Sequence, residues 1–273
     1  MRSELIQLYK KSAPLAVYAS NVTSQNGEDG IIAHIMSVLQ PAEKYCVEFG
    51  AWDGKYLSNC YALLTAGDWR GLMIEANAAK FTDLCATYAA YPAVRPVSRL
   101  VDFEGPNRLD GILAEAGAPQ QFGMLSIDVD GNDYHIWQSM VDFKPEVVVV
   151  EFNATIPNDV LFIQDRSFEV NQGCSLLALV ILAREKGYQL VATTTTNAIF
   201  VVDEKFPLLG IKDNFIDRLH TPALNGRIFQ GYDGTIHVVG MPILFETGAP
   251  LSSEDFQVVP KERRVFGDAQ KKL

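Results

Sequence analysis

Apolar runs that end in, or just before, an acidic residue recur along this chain, and that recurrence limits its fold more than any other feature. Tyr45 to Phe49, with Glu48 inside it, hands over to Gly50-Ala-Trp-Asp-Gly54; Arg70 to Ile74 ends at Glu75; Val94 to Val101 ends at Asp102-Phe103. Phe122 to Ile127 ends at Asp128, and Pro145-Glu-Val-Val-Val-Val ends at Glu151. Short apolar runs bounded by glycines and polar clusters read as strands. The run Val147 to Val150 has no polar face, so it predicts a strand covered on both sides, the position of a central strand in a parallel sheet.

Helical spacing fills the intervals. Ile31, Ile32, Ile35, Met36 and Leu39 share one helical face, with Asn26 and Asp29 as a start signal, which leaves Ser24 and Gln25 in the preceding loop. Further helices are predicted over 58–66, 78–89, 107–115, 134–141 and 175–186. Two last strands, Tyr188 to Ala192 and Ala198 to Val202, are joined by Thr193-Thr-Thr-Thr196. That connection is too short for a crossover helix, so they pair antiparallel. The expected fold is a single α/β domain of about seven strands. Residues 1–44 form an N-terminal helical segment reaching the ligand site, 45–204 the core, and 205–273 an extension that builds an acceptor pocket or a contact between copies of the chain.

The 23 Lys and Arg against 33 Asp and Glu leave a net charge of −10 and a pI near 4.9, which argues against nucleic acid and polybasic membrane contacts as partners. No apolar run reaches the roughly 18 residues of a membrane span, and the expected location is the cytoplasm. Cys46, Cys60, Cys85 and Cys174 show no paired spacing and are expected as buried free thiols.

In a doubly wound sheet, ligands lie beyond the carboxyl ends of the strands. The glycines of the Gly50 to Gly54 turn let backbone approach a ligand, and Glu48 and Asp53 supply acceptors there that suit a cationic or hydroxyl-rich molecule. Glu75 follows Gly54 by 21 residues, the interval at which an acidic residue binds ribose hydroxyls. Gly50-x-x-x-Gly54 does not form the G-x-G-x-x-G pattern, which disfavours a nicotinamide dinucleotide.

The motifs together resemble the class I S-adenosylmethionine-dependent methyltransferases, and within them the FkbM-type branch. The matching pieces are Val47-Glu-Phe-Gly-Ala-Trp-Asp-Gly54 with Leu57-Ser-Asn59, Trp69-Arg-Gly-Leu-Met-Ile-Glu-Ala-Asn77, Leu125-Ser-Ile-Asp-Val-Asp-Gly131 and Val150-Glu-Phe-Asn153. Gly173-Cys-Ser-Leu-Leu-Ala-Leu179, Gly187-Tyr-Gln-Leu190 and Asn197-Ala-Ile-Phe200 follow in the same order. The resemblance implies a Rossmann-like, seven-stranded doubly wound sheet with an antiparallel last strand and helices on both faces. It implies S-adenosylmethionine as cofactor: Glu48, Gly50 and Asp53 at the methionine part, Glu75 at the ribose, Asp102 and Phe103 at the adenine. Ser24, Gln25, Ser58, Asn59, Asn77 and Asp128 complete that cofactor set. The branch more often carries Glu two residues after its fourth-strand Asp, where this chain has Asp130.

The resemblance extends to a small hydroxylated acceptor, a sugar or secondary metabolite. Transfer to a hydroxyl needs a group that removes or acidifies its proton, and two routes are open. Asp128, Asp130, Glu151 and Asn153 offer oxygens to Mg²⁺ or a similar hard ion; alternatively His135, five residues after Asp130, is the base. Competing readings are a cofactor-binding protein without transfer, and an acceptor with nitrogen or a phosphate-type group.

Overall fold

The computed structural model describes residues 13–221, 227–240, 244 and 247–264. The helix expected near the amino terminus lies largely outside them, and the part described, Pro14–Tyr18, is a 3-10 turn.

Seven strands form one sheet: β1 (Tyr45–Phe49), β2 (Arg70–Glu75), β3 (Val94–Ser98), β4 (Gln121–Ile127), β5 (Lys144–Glu151), β6 (Tyr188–Thr193) and β7 (Asn197–Val202). Their order is β3-β2-β1-β4-β5-β7-β6. Strands β1 to β5 pair in parallel, while β7 runs antiparallel to both of its neighbours. The helices around the sheet are α1 (Glu28–Leu39), α2 (Tyr61–Thr65), α3 (Ala78–Thr87), α4 (Leu109–Ala116), α5 (Asp133–Ser139), α6 (Leu176–Glu185) and the single turn α7 (Ile216–Leu219). This is the expected Rossmann-like architecture. Val147 to Val150 are fully buried, as a doubly covered strand requires.

Departures from the sequence boundaries have local causes. Helix α1 takes Gly27, at φ +99°, as its N-cap, and neither Asn26 nor Asp29 caps it. Helix α2 starts three residues later than expected because Ser58 and Asn59 are bonded to Glu48. Strand β3 stops at Ser98, and Asp102 pairs with Arg108 in an isolated bridge instead. Cys46, Cys60 and Cys174 are buried free thiols, but Cys85 is exposed on α3.

The chain divides into two compact units, residues 1–153 with 158–221, and residues 154–157 with 222–273. The second contains the hairpin β8 (Arg227–Gln230) and β9 (Ile236–Val239), closed by the Gly231 to Gly234 turn. Gln257 clamps it, accepting from the Ile236 N–H at 3.0 Å and donating to the Ile236 carbonyl at 2.7 Å. No helix among the described residues is long and apolar enough to cross a membrane.

Candidate functional site

Because β1 to β5 are parallel, their carboxyl ends lie along one edge of the sheet. The sheet order therefore sets Glu75, Glu48, Asp128 and Glu151 side by side on that edge, with Asp102 beyond β3.

Glu48 is buried in the middle of this row. Its oxygens accept from the Ser58 hydroxyl and from the Asn59 N–H at 2.9 Å, and Asn59 Nδ2 donates to Ser126 Oγ at 3.1 Å. Burial pushes the Glu48 carboxyl above its usual range even against those donors. Ser58 and Asn59, expected at the cofactor, are direct hydrogen-bond partners of Glu48.

The turn after β1 is pinned from several sides. Glu75 accepts the Trp52 N–H at 2.8 Å and the Asn77 N–H at 2.6 Å, one on each oxygen. Two acceptor sites of the carboxylate are thereby used, and its other lone pairs remain for a ligand. Asp53 closes the turn on the N–H groups of Lys55 and Tyr56, at 2.9 and 2.7 Å. Asn77 caps α3, accepting from Ala79 and Lys80.

The glycines of this turn make room for protein atoms, a reason different from the one read in the sequence. A Cβ on Gly50 would stand 1.8 Å from the Asp128 carbonyl oxygen, and one on Gly54 would meet the Tyr88 ring at 2.5 Å. Both have positive φ, and so do Trp52, Leu57 and Asp130 in the loops after β1 and β4. Left-handed non-glycine backbone costs on the order of 1–3 kcal/mol per residue and collects at functional loops.

Ser24 and Gln25 sit in a loop folded around Asp29. Asp29 Oδ2 accepts the N–H groups of Val22, Thr23 and Ser24 at 2.7 to 2.8 Å, and the Ser24 hydroxyl accepts from the Asp29 N–H at 3.1 Å. Thr23 Oγ1 donates to the Ser58 carbonyl at 3.1 Å, which brings this loop to the Glu48 pocket. Ser24 is buried and Gln25 is exposed. Glu28 ties the same loop to the far side of the sheet through the Thr194 hydroxyl and through Asn197 Nδ2 at 3.2 Å. Neither Glu28 nor Asp29 was singled out as a site residue in the sequence.

Beyond β4, Asp128, Asp130 and Glu151 each offer an oxygen, all within 4.8 Å of one another. Burial, then repulsion from the neighbouring carboxylates, pushes the Asp128 and Glu151 carboxyls up, and the two hydrogen-bond each other. Asp133 is turned away to hold the loop, accepting the N–H groups of Val129 and Gly131 at 2.9 Å each. Asn153 Nδ2 donates to the Gln172 carbonyl at 2.9 Å. The three carboxylates match the oxygen donors a hard divalent cation takes, and the crowding that helps hold the protons on Asp128 and Glu151 is one a cation would relieve.

His135, on α5, faces into the segment 158–173. Its Nε2 lies 2.8 Å from the Gln164 carbonyl and its Nδ1 accepts from Arg166 Nε at 3.4 Å, so both ring nitrogens are engaged within the protein. Burial pushes its pKa down. Gln164 organises the segment: its Oε1 accepts the N–H groups of Gln172 and Gly173 at 2.8 Å each, and its Nε2 donates to Asn132 Oδ1 at 3.2 Å. Phe103 stacks on Phe168 with ring centres 5.6 Å apart, meets His135 edge-on at 5.9 Å, and carries the Arg166 guanidinium at 5.6 Å. Asp102 holds the turn before it, accepting the Phe103 N–H at 2.7 Å.

No protein-family model and no curated protein matches the sequence. Among solved structures, the chain is similar to the N-terminal domain of EvdMO1 in the presence of SAH and D-fucose, 11% identical over 74% of this chain and 96% of that one, with a TM-score of 0.44. It is similar also to the CurJ carbon methyltransferase (10% identity, 72% and 57% of the two chains, TM-score 0.45) and to a putative caffeoyl-CoA O-methyltransferase from Staphylococcus aureus (16%, 73% and 98%, TM-score 0.43).

Proposed function

We propose that this chain is an S-adenosylmethionine-dependent methyltransferase of the FkbM type, acting on a hydroxyl of a sugar or small secondary metabolite. The observation that carries the reading is the row of carboxylates along one sheet edge, in the order Asp102, Glu75, Glu48, Asp128, Glu151, joined to the matching motifs. A sulfonium nucleoside needs a diol acceptor, a polar contact for adenine and an anionic surround for its cation, and has no pyrophosphate to be repelled. Glu75, with lone pairs beyond those held by Trp52 and Asn77, takes the ribose; Asp102 and Phe103 take the adenine; Glu48, Asp53 and the Ser24 to Asp29 loop surround the methionine part.

The acceptor belongs at the other half of the edge, between Asp128 to Asp130 and Glu151. Asp128, Asp130 and Glu151 would hold a hard divalent ion such as Mg²⁺, which when bound would acidify an acceptor hydroxyl. His135 serves here to hold the segment 158–173, since both of its nitrogens are engaged by Gln164 and Arg166. The test is mass spectrometry of a cell extract incubated with the protein and methyl-labelled S-adenosylmethionine, with and without chelator. Labelled product that disappears with chelator supports both parts; labelled product indifferent to chelator removes the ion and keeps the transferase.

A further inference from the structure

Strands β5 and β6 both run antiparallel to β7, so Thr193 at the end of β6 lies at the same end of the sheet as Glu151. His220, which follows α7, sits there. The Thr193 hydroxyl donates to the Leu219 carbonyl at 2.8 Å. A hydroxyl has one proton, so toward His220 Nδ1, 3.3 Å away, Thr193 can only accept. The ring proton is therefore on Nδ1 and the lone pair on Nε2. Nε2 is buried and has no hydrogen-bond partner among the described residues, and the residue as a whole is only 4% exposed. The Phe152 ring, next in sequence to Glu151, meets the imidazole at 90° with centres 5.1 Å apart. Burial pushes the His220 pKa down to about 4 against the pull of Asp217, so the ring is neutral near neutral pH. A buried acceptor without a donor is costly and rare, and calls for a ligand to complete it. His135 differs, because both of its nitrogens are engaged.

We propose that the methyl acceptor places its O–H on His220 Nε2 and gives up its proton there as the methyl group moves. This inference rests on the transferase reading. In the step, the acceptor oxygen uses a lone pair to form the new O–CH₃ bond, and the S–CH₃ bond breaks with its electron pair going to sulfur. The hydroxyl proton passes to Nε2 and later to water. The sulfonium becomes a thioether as the imidazole becomes a cation, so the charge of the site is conserved. Thr193 keeps the ring in the tautomer that can accept.

Two measurements test this. In ¹⁵N-labelled protein, the nitrogen signals of His220 at neutral pH should show a proton on Nδ1 and none on Nε2; a proton on Nε2 overturns the proposal. The second uses His220→Asn, which keeps a donor for Thr193 and replaces the basic ring nitrogen by a non-basic amide, and His220→Ala with added imidazole. Both variants should bind S-adenosylmethionine calorimetrically as the wild type does, while label transfer from methyl-labelled cofactor into the extract falls 10²- to 10⁴-fold. Imidazole should restore part of the rate of His220→Ala. Wild-type transfer by His220→Asn, with cofactor binding intact, overturns the role of His220 alone. Failure of the wild-type chain to bind the cofactor overturns the transferase reading and this inference with it.

Discussion

Gly50 packs against the Asp128 main chain so closely that a Cβ on it would stand 1.8 Å from the Asp128 carbonyl oxygen. The loops after β1 and β4 are thereby fixed to each other, and with them the two halves of the sheet edge proposed for the cofactor and the acceptor. Gly50→Ala adds a backbone clash to a φ of +70°. It should cost about 3 kcal/mol or more in urea unfolding, because neither loop can move away without releasing the other.

Glu75→Gln tests the ribose contact proposed for this carboxylate. The amide keeps one acceptor oxygen and turns the other into a donor that faces a main-chain N–H. Charged hydrogen bonds contribute about 1.5–3 kcal/mol, so S-adenosylmethionine affinity should fall roughly 10- to 100-fold. Calorimetry at matched protein stability checks it, with circular dichroism to show that the fold is kept.

The paired carboxyls of Asp128 and Glu151 make a prediction about pH. Their folded-state pKa values lie above the ordinary carboxylate range, so the unfolded chain releases these protons first. Their contribution to stability is complete below about pH 4 and is lost as pH climbs toward the raised folded-state values. Unfolding free energies at acidic, neutral and alkaline pH should show this fall, and Asp128→Asn should flatten it. Mg²⁺ at 100 times its Kd should restore about 2.7 kcal/mol on the alkaline side in the wild type and little in the variant.

Gln164 accounts for the shape of the segment 158–173. Gln164→Ala leaves the N–H groups of Gln172 and Gly173 without their acceptor, at a cost of about 1–3 kcal/mol for each group that stays buried. Trypsin should then cut after Arg166 much faster than in the wild type, while the sheet survives. Equal cutting rates would mean that other contacts hold the segment.

The carboxylate row was legible in the sequence because a strand, a turn and a helix recur in a fixed rhythm that places Glu75, Asp128 and Glu151 at equivalent points. The all-valine run located β5, and the short threonine link gave β7 its direction. What escaped depends on partners distant in sequence. Glu28 bonds Thr194 and Asn197 across 166 and 169 residues, and no local pattern reports that. His220 has its meaning only from Thr193 and Phe152, whereas His135 had the sequence context of a base and spends both nitrogens on Gln164 and Arg166. The role of the glycines was half legible: a tight approach was expected, and the approaching atoms belong to Asp128 and Tyr88.

The strand-end carboxylates are proposed to form a site for a sulfonium nucleoside. Titration of the wild-type chain with S-adenosylmethionine in a calorimeter tests this most directly. Saturable binding at one site per chain, weakened by Glu75→Gln, is expected; absence of any binding at high protein concentration would overturn the proposed site.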